Sequence, residues 1–173
     1  MSALRHGIEK LFEWISAALL VVLVVEVLIG IIFRAAGRPL VWYDEVASVL
    51  LAWVTYYASA LAALRKSHIG FPGLVNGLPP GGRIAALIIR EVAVIGFSVV
   101  LAIWGMQVLA ALGGETLVTV DVPVRATQSV IPIGALLFVV AELLNLPGQI
   151  AWATGKAPPG PPAAVEAAKE LSH

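Results

Sequence analysis

Cysteine is absent from the 173 residues. That excludes disulfides, thiolate metal sites, iron–sulfur clusters and thiol nucleophiles, and it leaves the redox compartment unread. Charge is scarce: Asp, Glu, Lys and Arg make up 13% of the chain, about half the share found in a soluble domain. An excess of either sign is also missing, since 11 Lys and Arg balance 11 Asp and Glu. No basic field exists to gather phosphates, so the chain is not a nucleic-acid binder. The shortage of polar groups excludes an ordinary cytosolic enzyme, and the apolar composition excludes disorder. What the chain has in excess is apolar: hydrophobic residues reach 60%, and mean hydropathy is +0.94.

These apolar residues are collected into runs. A bilayer core about 30 Å thick is crossed by roughly 20 apolar helical residues. Four segments meet that requirement or come near it, at about residues 14–33, 46–64, 84–112 and 126–152. The first, Trp14 to Phe33, is interrupted only by Glu26. Val46 to Leu64 carries no charge, and neither does Val92 to Leu112 within the third. The fourth carries Glu142 near its end and is the shortest uncharged run, Ala126 to Ala141. The expected fold is all-α, an integral membrane protein with four transmembrane helices. Arg34 follows the first span where a signal peptide would show a small-residue cleavage site, so that span is retained.

Before the first span, Leu4, Ile8, Leu11, Phe12 and Ile15 fall at helical spacing, with Arg5, Glu9, Lys10 and Glu13 between them. Two readings fit: a short amphipathic helix on the membrane surface, or the protruding end of a long first helix. Leu78-Pro79-Pro80-Gly81-Gly82 marks a turn and a helix start. Glu115 to Pro123 alternates and is β-branched, which predicts an extended outer loop. Residues 1–155 form one membrane domain, and 156–173 form a Pro-rich tail.

Orientation follows from Lys and Arg, which concentrate on the cytoplasmic side of inner-membrane proteins. The N-terminal segment, the segment between spans two and three and the tail hold eight of them; the other side holds Arg34, Arg38 and Arg125. Both termini are therefore expected in the cytoplasm.

Few residues could carry chemistry. Glu26 lies roughly 10 Å inside the outer end of its span. A carboxyl group at that depth suits a proton or cation site, a specific interface with another protein, or a packed interior or subunit contact in which it is neutral or hydrogen-bonded to Ser, Thr or Gln. Arg90 and Glu142 fall in the same half of the membrane, where they either pair or reach separately to the headgroups. Trp42, Asp44 and Glu45 open the second span. The acids complement the helix dipole there, and the aromatic residue anchors at headgroup level; a partner-contact patch is the other reading. Arg65 and His68 close the same span, where charge-driven orientation and the helix C-terminal dipole account for them. Arg125 shows no structural duty in the sequence and is a candidate contact for a partner on the outer face. None of His6, His68 and His173 lies in a span, so a haem held between two helices by histidines is excluded. No P-loop, HExxH or GxSxG pattern occurs, and no metal or other cofactor is called for.

These motifs in this order resemble the small membrane subunit (DctQ-like) of tripartite ATP-independent periplasmic (TRAP) transporters. They are Trp42-Tyr43-Asp44-Glu45, Ala62-Ala63-Leu64-Arg65-Lys66-Ser67-His68-Ile69, Leu78-Pro79 with Arg83, and Ile131-Pro132-Ile133-Gly134. The resemblance covers about residues 5–155; Asp44-Glu45 departs mildly from the family's usual pair of acids. It implies a scaffold without chemistry of its own, in the bacterial inner membrane. Its partners would be a large multi-span permease subunit, which carries the solute and sodium sites, and a periplasmic solute-binding protein, which delivers the solute, commonly an organic acid. Two other readings stand beside it. One is a self-sufficient four-span proton-coupled exporter using Glu26; the other is a membrane-embedded enzyme, for which no catalytic arrangement is present.

Overall fold

The computed structural model describes residues 2–65, 75 and 77–156; His68 and the tail beyond Lys156 lie outside them. Five helices are formed among these residues: α1 (Ser2–Ala35), α2 (Tyr43–Leu64), α3 (Pro80–Ala111), α4 (Val124–Gln128) and α5 (Val130–Ala153). Four helical segments, counting α4 and α5 as one, are long and apolar enough to cross a membrane.

The amphipathic lead-in and the first span are one continuous helix. At 34 residues, α1 is about 51 Å long, so it must tilt or protrude from a core of about 30 Å. Its first turns pack against protein: Phe12 is buried, and Ile8 sits on the core formed by Ala63, Leu64 and Ala141. α1 stops in a Schellman motif. Gly37 adopts φ 73°, its N–H bonds to the Arg34 carbonyl at 3.1 Å, and Arg38 N–H bonds to Phe33 at 3.0 Å. The end of α5 repeats this geometry around Gly155, at φ 74°.

α3 begins at Pro80, inside the 78–82 segment that marks a helix start, because a proline is well placed in the first helical turn. The expected fourth span is divided: Ser129 separates the short α4 from α5. Between α3 and α4 the chain is not helical, as its β-branched pattern predicts, but it bends at residues 118–120 and folds back on itself. Thr116 and Pro123 form an antiparallel bridge, and Leu117 N–H bonds to the Val122 carbonyl at 2.9 Å.

The principal packings are α1 on α2, α2 on α5 and α5 on α3. The four long helices therefore stand in a row, ordered α1–α2–α5–α3. α5 is interior to the row: 39% of its apolar window is buried, against 11% for α1 and for α2. Small residues make the joints close. A Cβ on Gly134 would lie 2.6 Å from the Tyr56 ring, and one on Gly105 would lie 3.2 Å from Pro132 Cδ. Gly30 is likewise covered by the Tyr43 ring. Such contacts suit helices in lipid, where association depends on packing and polar links.

Candidate functional site

Polar side chains in this row serve mainly to join helices. At the end of the row where α2 finishes, two of its last carbonyls are satisfied from other helices. Arg5 Nη2 donates to Leu64 O at 2.9 Å, and Asn145 Nδ2 donates to Ala63 O at 2.7 Å in a buried position. A helix ends with unpaired carbonyls, so these bonds cap α2 while tying it to α1 and α5. Arg65 adds a third link: Nε donates to Glu9 at 2.7 Å and Nη2 to Glu13 at 2.8 Å. The Glu9 hydrogen bond is the main cause that pushes the Arg65 guanidinium further above its ordinary range. Arg5, Glu9 and Glu13 thus dock the start of α1 on the end of α2.

Arg90 joins α3 to α5. Its Nη2 donates to Glu142 at 2.9 Å, its Nη1 to Gln149 at 2.8 Å, and Gln149 Nε2 reaches Glu142 at 3.5 Å. The ion-pair reading of these two residues is the geometry observed. Glu142 and Asn145 are each 2% exposed, and Glu91 is 7% exposed beside them. Asn145, Gln149 and Glu91 were missed in the sequence. A signal was there: Glu142, Asn145 and Gln149 are spaced by three and four residues, a polar stripe along one face of an otherwise apolar helix.

Glu26 is 8% exposed, and neither carboxyl oxygen has a hydrogen-bond partner. Among the described residues no Ser, Thr or Gln side chain bonds to it. Gly30, one turn along α1, lies against Tyr43, which puts Glu26 in the α1–α2 joint. A lone carboxylate at that depth is expensive, and the neutral acid is the form such a site accommodates.

At the opposite end of the row the two acids of α2 differ. Asp44 and Glu45 both lie in the first turn. Asp44 is exposed, whereas Glu45 accepts the N–H groups of Val118 and Thr119 at 2.8 Å each and also the Thr119 hydroxyl. Glu45 therefore clamps the outer loop to α2, leaving Val118 94% exposed at its tip. Trp42 precedes α2 and is partly exposed at 37%; its carbonyl accepts the Val46 N–H at 3.1 Å. Arg125 does have a structural duty, contrary to expectation: Nη2 donates to Ala110 O at 3.1 Å and Nε to Leu112 O, capping α3. Trp53 Nε1 donates to Thr127 O at 3.0 Å and joins α2 to α4.

An open, mostly apolar groove of about 450 Å³ runs between α2 and α3 over α5. Tyr56, Ser59, Val94, Phe97, Gly134 and Phe138 are among its lining. The hydroxyls of Thr55 and Ser98 in its wall bond back to Leu51 O and Val94 O of their own helices, so they do not point polar groups at a solute. Among the described residues, no three His, Asp or Glu side chains converge as metal ligands would. The arrangement holds helices together and presents no reacting pair.

Residues 20–151 match the family of DctQ components of tripartite ATP-independent periplasmic transporters. The chain belongs to the DctQ family. The match runs from the middle of α1 to the last turn of α5 and includes every long helix. Membership makes the chain a subunit of a TRAP transporter, a multi-pass membrane protein within a transport assembly and not a member of a known enzyme family. No curated protein matches the chain significantly.

Proposed function

We infer that the chain is the small scaffold subunit that supports a large permease subunit during sodium-driven uptake of a solute, an organic acid delivered by a periplasmic binding protein. It lies in the bacterial inner membrane with both termini in the cytoplasm, which places the Arg5–Arg65–Arg90 end inside and the Glu45–Arg125 end outside. One observation carries this reading: the hydrogen-bonded polar side chains at the Arg90 end tie helix to helix. Arg90 with Glu142 and Gln149, and Asn145 with the Ala63 carbonyl, hold α2, α5 and α3 as one body. A frame of that kind suits a static role beside a moving transport domain. The large subunit would cover apolar surface that the single row leaves open. On the outer side, Arg34, Arg38, Glu115 and Asp121 remain as charges that could steer the binding protein, an effect stronger on encounter than on affinity.

The exporter reading rests on Glu26, whose buried carboxyl oxygens have no hydrogen-bond partner and which does not line the groove between α2 and α3. Reconstitution separates the two. The chain alone in liposomes should give no uptake or efflux under a sodium or proton gradient. Joined by its large subunit and the binding protein, it should support sodium-dependent uptake. Transport by the isolated chain that Glu26→Gln abolishes would replace the scaffold with an exporter.

A further inference from the structure

We propose that Glu91 carries a proton in the folded membrane protein, and that this proton keeps the edge helix α3 latched to α5. Glu91 is 7% exposed, and both its carboxyl oxygens are buried without a hydrogen bond. Among the described residues its ion-pair partner is Arg90, with Nη1 3.4 Å from Oε1. That guanidinium is already engaged, at 2.9 Å with Glu142 and at 2.8 Å with Gln149. The joint therefore holds two carboxyl groups and one guanidinium, with the neutral amides of Gln149 and Asn145 beside them. Arg5 bonds to the Leu64 carbonyl and Arg65 to Glu9 and Glu13, so both are engaged elsewhere.

Two carboxylates sharing one cation in a low-dielectric joint do not both ionise. Glu142 receives the charge-assisted bond from Arg90 and the weaker approach of Gln149, whereas Glu91 receives no hydrogen bond. The hydrogen bonds thus make Glu91 the member that keeps the proton. Once Glu91 ionises, a second negative charge stands against Glu142 and competes for Arg90. The principal packing of α3 is on α5, so this competition loosens the edge of the row from its Arg90 end.

The sign follows from linkage. A group that holds its proton when folded and releases it when unfolded favours the fold at low pH, and its contribution is lost as pH rises through the folded-state ionisation. Within that window the unfolding constant grows about ten-fold per pH unit. The test uses the full chain in lipid nanodiscs, with wild type, Glu91→Gln and Glu142→Gln compared from about pH 5 to about pH 9. Infrared spectra follow the carboxylic-acid carbonyl stretch, and thermal melts follow stability. Wild type should show an acid band at neutral pH that is reduced in Glu91→Gln; the difference excludes any band from Glu26. Its melting point should fall with rising pH. Glu91→Gln should remove that fall and melt at or above wild type at the alkaline end, and Glu142→Gln should melt lower throughout. An acid band unchanged by Glu91→Gln, or a melting point equally pH-dependent in that variant, overturns the proposal. The reverse ranking, with Glu142→Gln the more stable variant, assigns the proton to Glu142 and overturns it as well.

Discussion

Substituting Gly134 by alanine tests the α2–α5 joint on which the row depends. The new Cβ would lie 2.6 Å from Tyr56 Cδ1 and 2.7 Å from Tyr56 Cβ. The second contact decides the outcome, because a Cβ cannot swing aside as a ring can; relief requires α2 to move away from α5. Overpacking of this kind costs about 1–3 kcal/mol, offset by about 1 kcal/mol from the better helix propensity of alanine. The net is a loss of up to about 2 kcal/mol, which lowers the melting point by up to roughly 8 °C for a chain of this size, whereas the difference from a glycine-to-alanine change that meets nothing is the full cost of overpacking. Gly30→Ala provides the contrast, since its close contacts are all ring atoms of Tyr43; adding Tyr43→Ala should relieve it. Adding Tyr56→Ala to Gly134→Ala should relieve little, because the alanine retains the offending Cβ. Gly96→Ala is the control, with nothing within 4 Å of the added carbon, and it should be neutral or stabilising. Intrinsic fluorescence melts in one detergent read all of these variants. Gly134→Ala melting no lower than Gly96→Ala would refute the close approach of the two helices.

Further expectations concern the polar links. Arg90→Leu leaves Glu142 buried without its partner and should cost about 3 kcal/mol; Arg90→Leu with Glu142→Leu should regain most of that, read as a double-mutant cycle of melts. Glu45→Ala frees the Val118 and Thr119 N–H groups, so limited proteolysis should cut between Glu115 and Pro123 several times faster; unchanged cleavage would mean the clamp does not hold the loop. Glu26→Gln keeps the size of a neutral acid and should melt within about 0.5 kcal/mol of wild type, whereas Glu26→Lys should destabilise the chain strongly in the same assay. Arg125→Glu removes the cap of α3 and should lower stability by about 1 kcal/mol or more, read as a lower melting point, so any loss of binding-protein docking in that variant must be compared with Arg34→Glu and Arg38→Glu.

By itself the sequence determined the class of this protein and the number of its membrane-length helices. Apolar runs of membrane length report a property of each segment, and they do not depend on which helix lies beside which. The resemblance to TRAP small subunits was legible for the same reason, because its motifs are local: Trp42 to Glu45, Leu64 to Arg65, Ile131 to Gly134. Helix ends were legible only in part. Pro80 at the start of α3 was visible in composition, but the break at Ser129 was not. Roles that depend on a distant partner had to wait for the tertiary structure. Glu45 and Asp44 are neighbours in sequence and equal in local electrostatics; only the return of residues 118 and 119 gives Glu45 a separate task. Arg125 looked uncommitted because the carbonyls it caps, at 110 and 112, belong to the preceding helix. Arg5 and Asn145 meet the end of α2 from 59 and 82 residues away. The row order α1–α2–α5–α3 belongs to the same category. Hydropathy counts how much apolar surface a helix carries, whereas the neighbour that covers it is selected by glycine contacts and polar links between residues far apart in the chain.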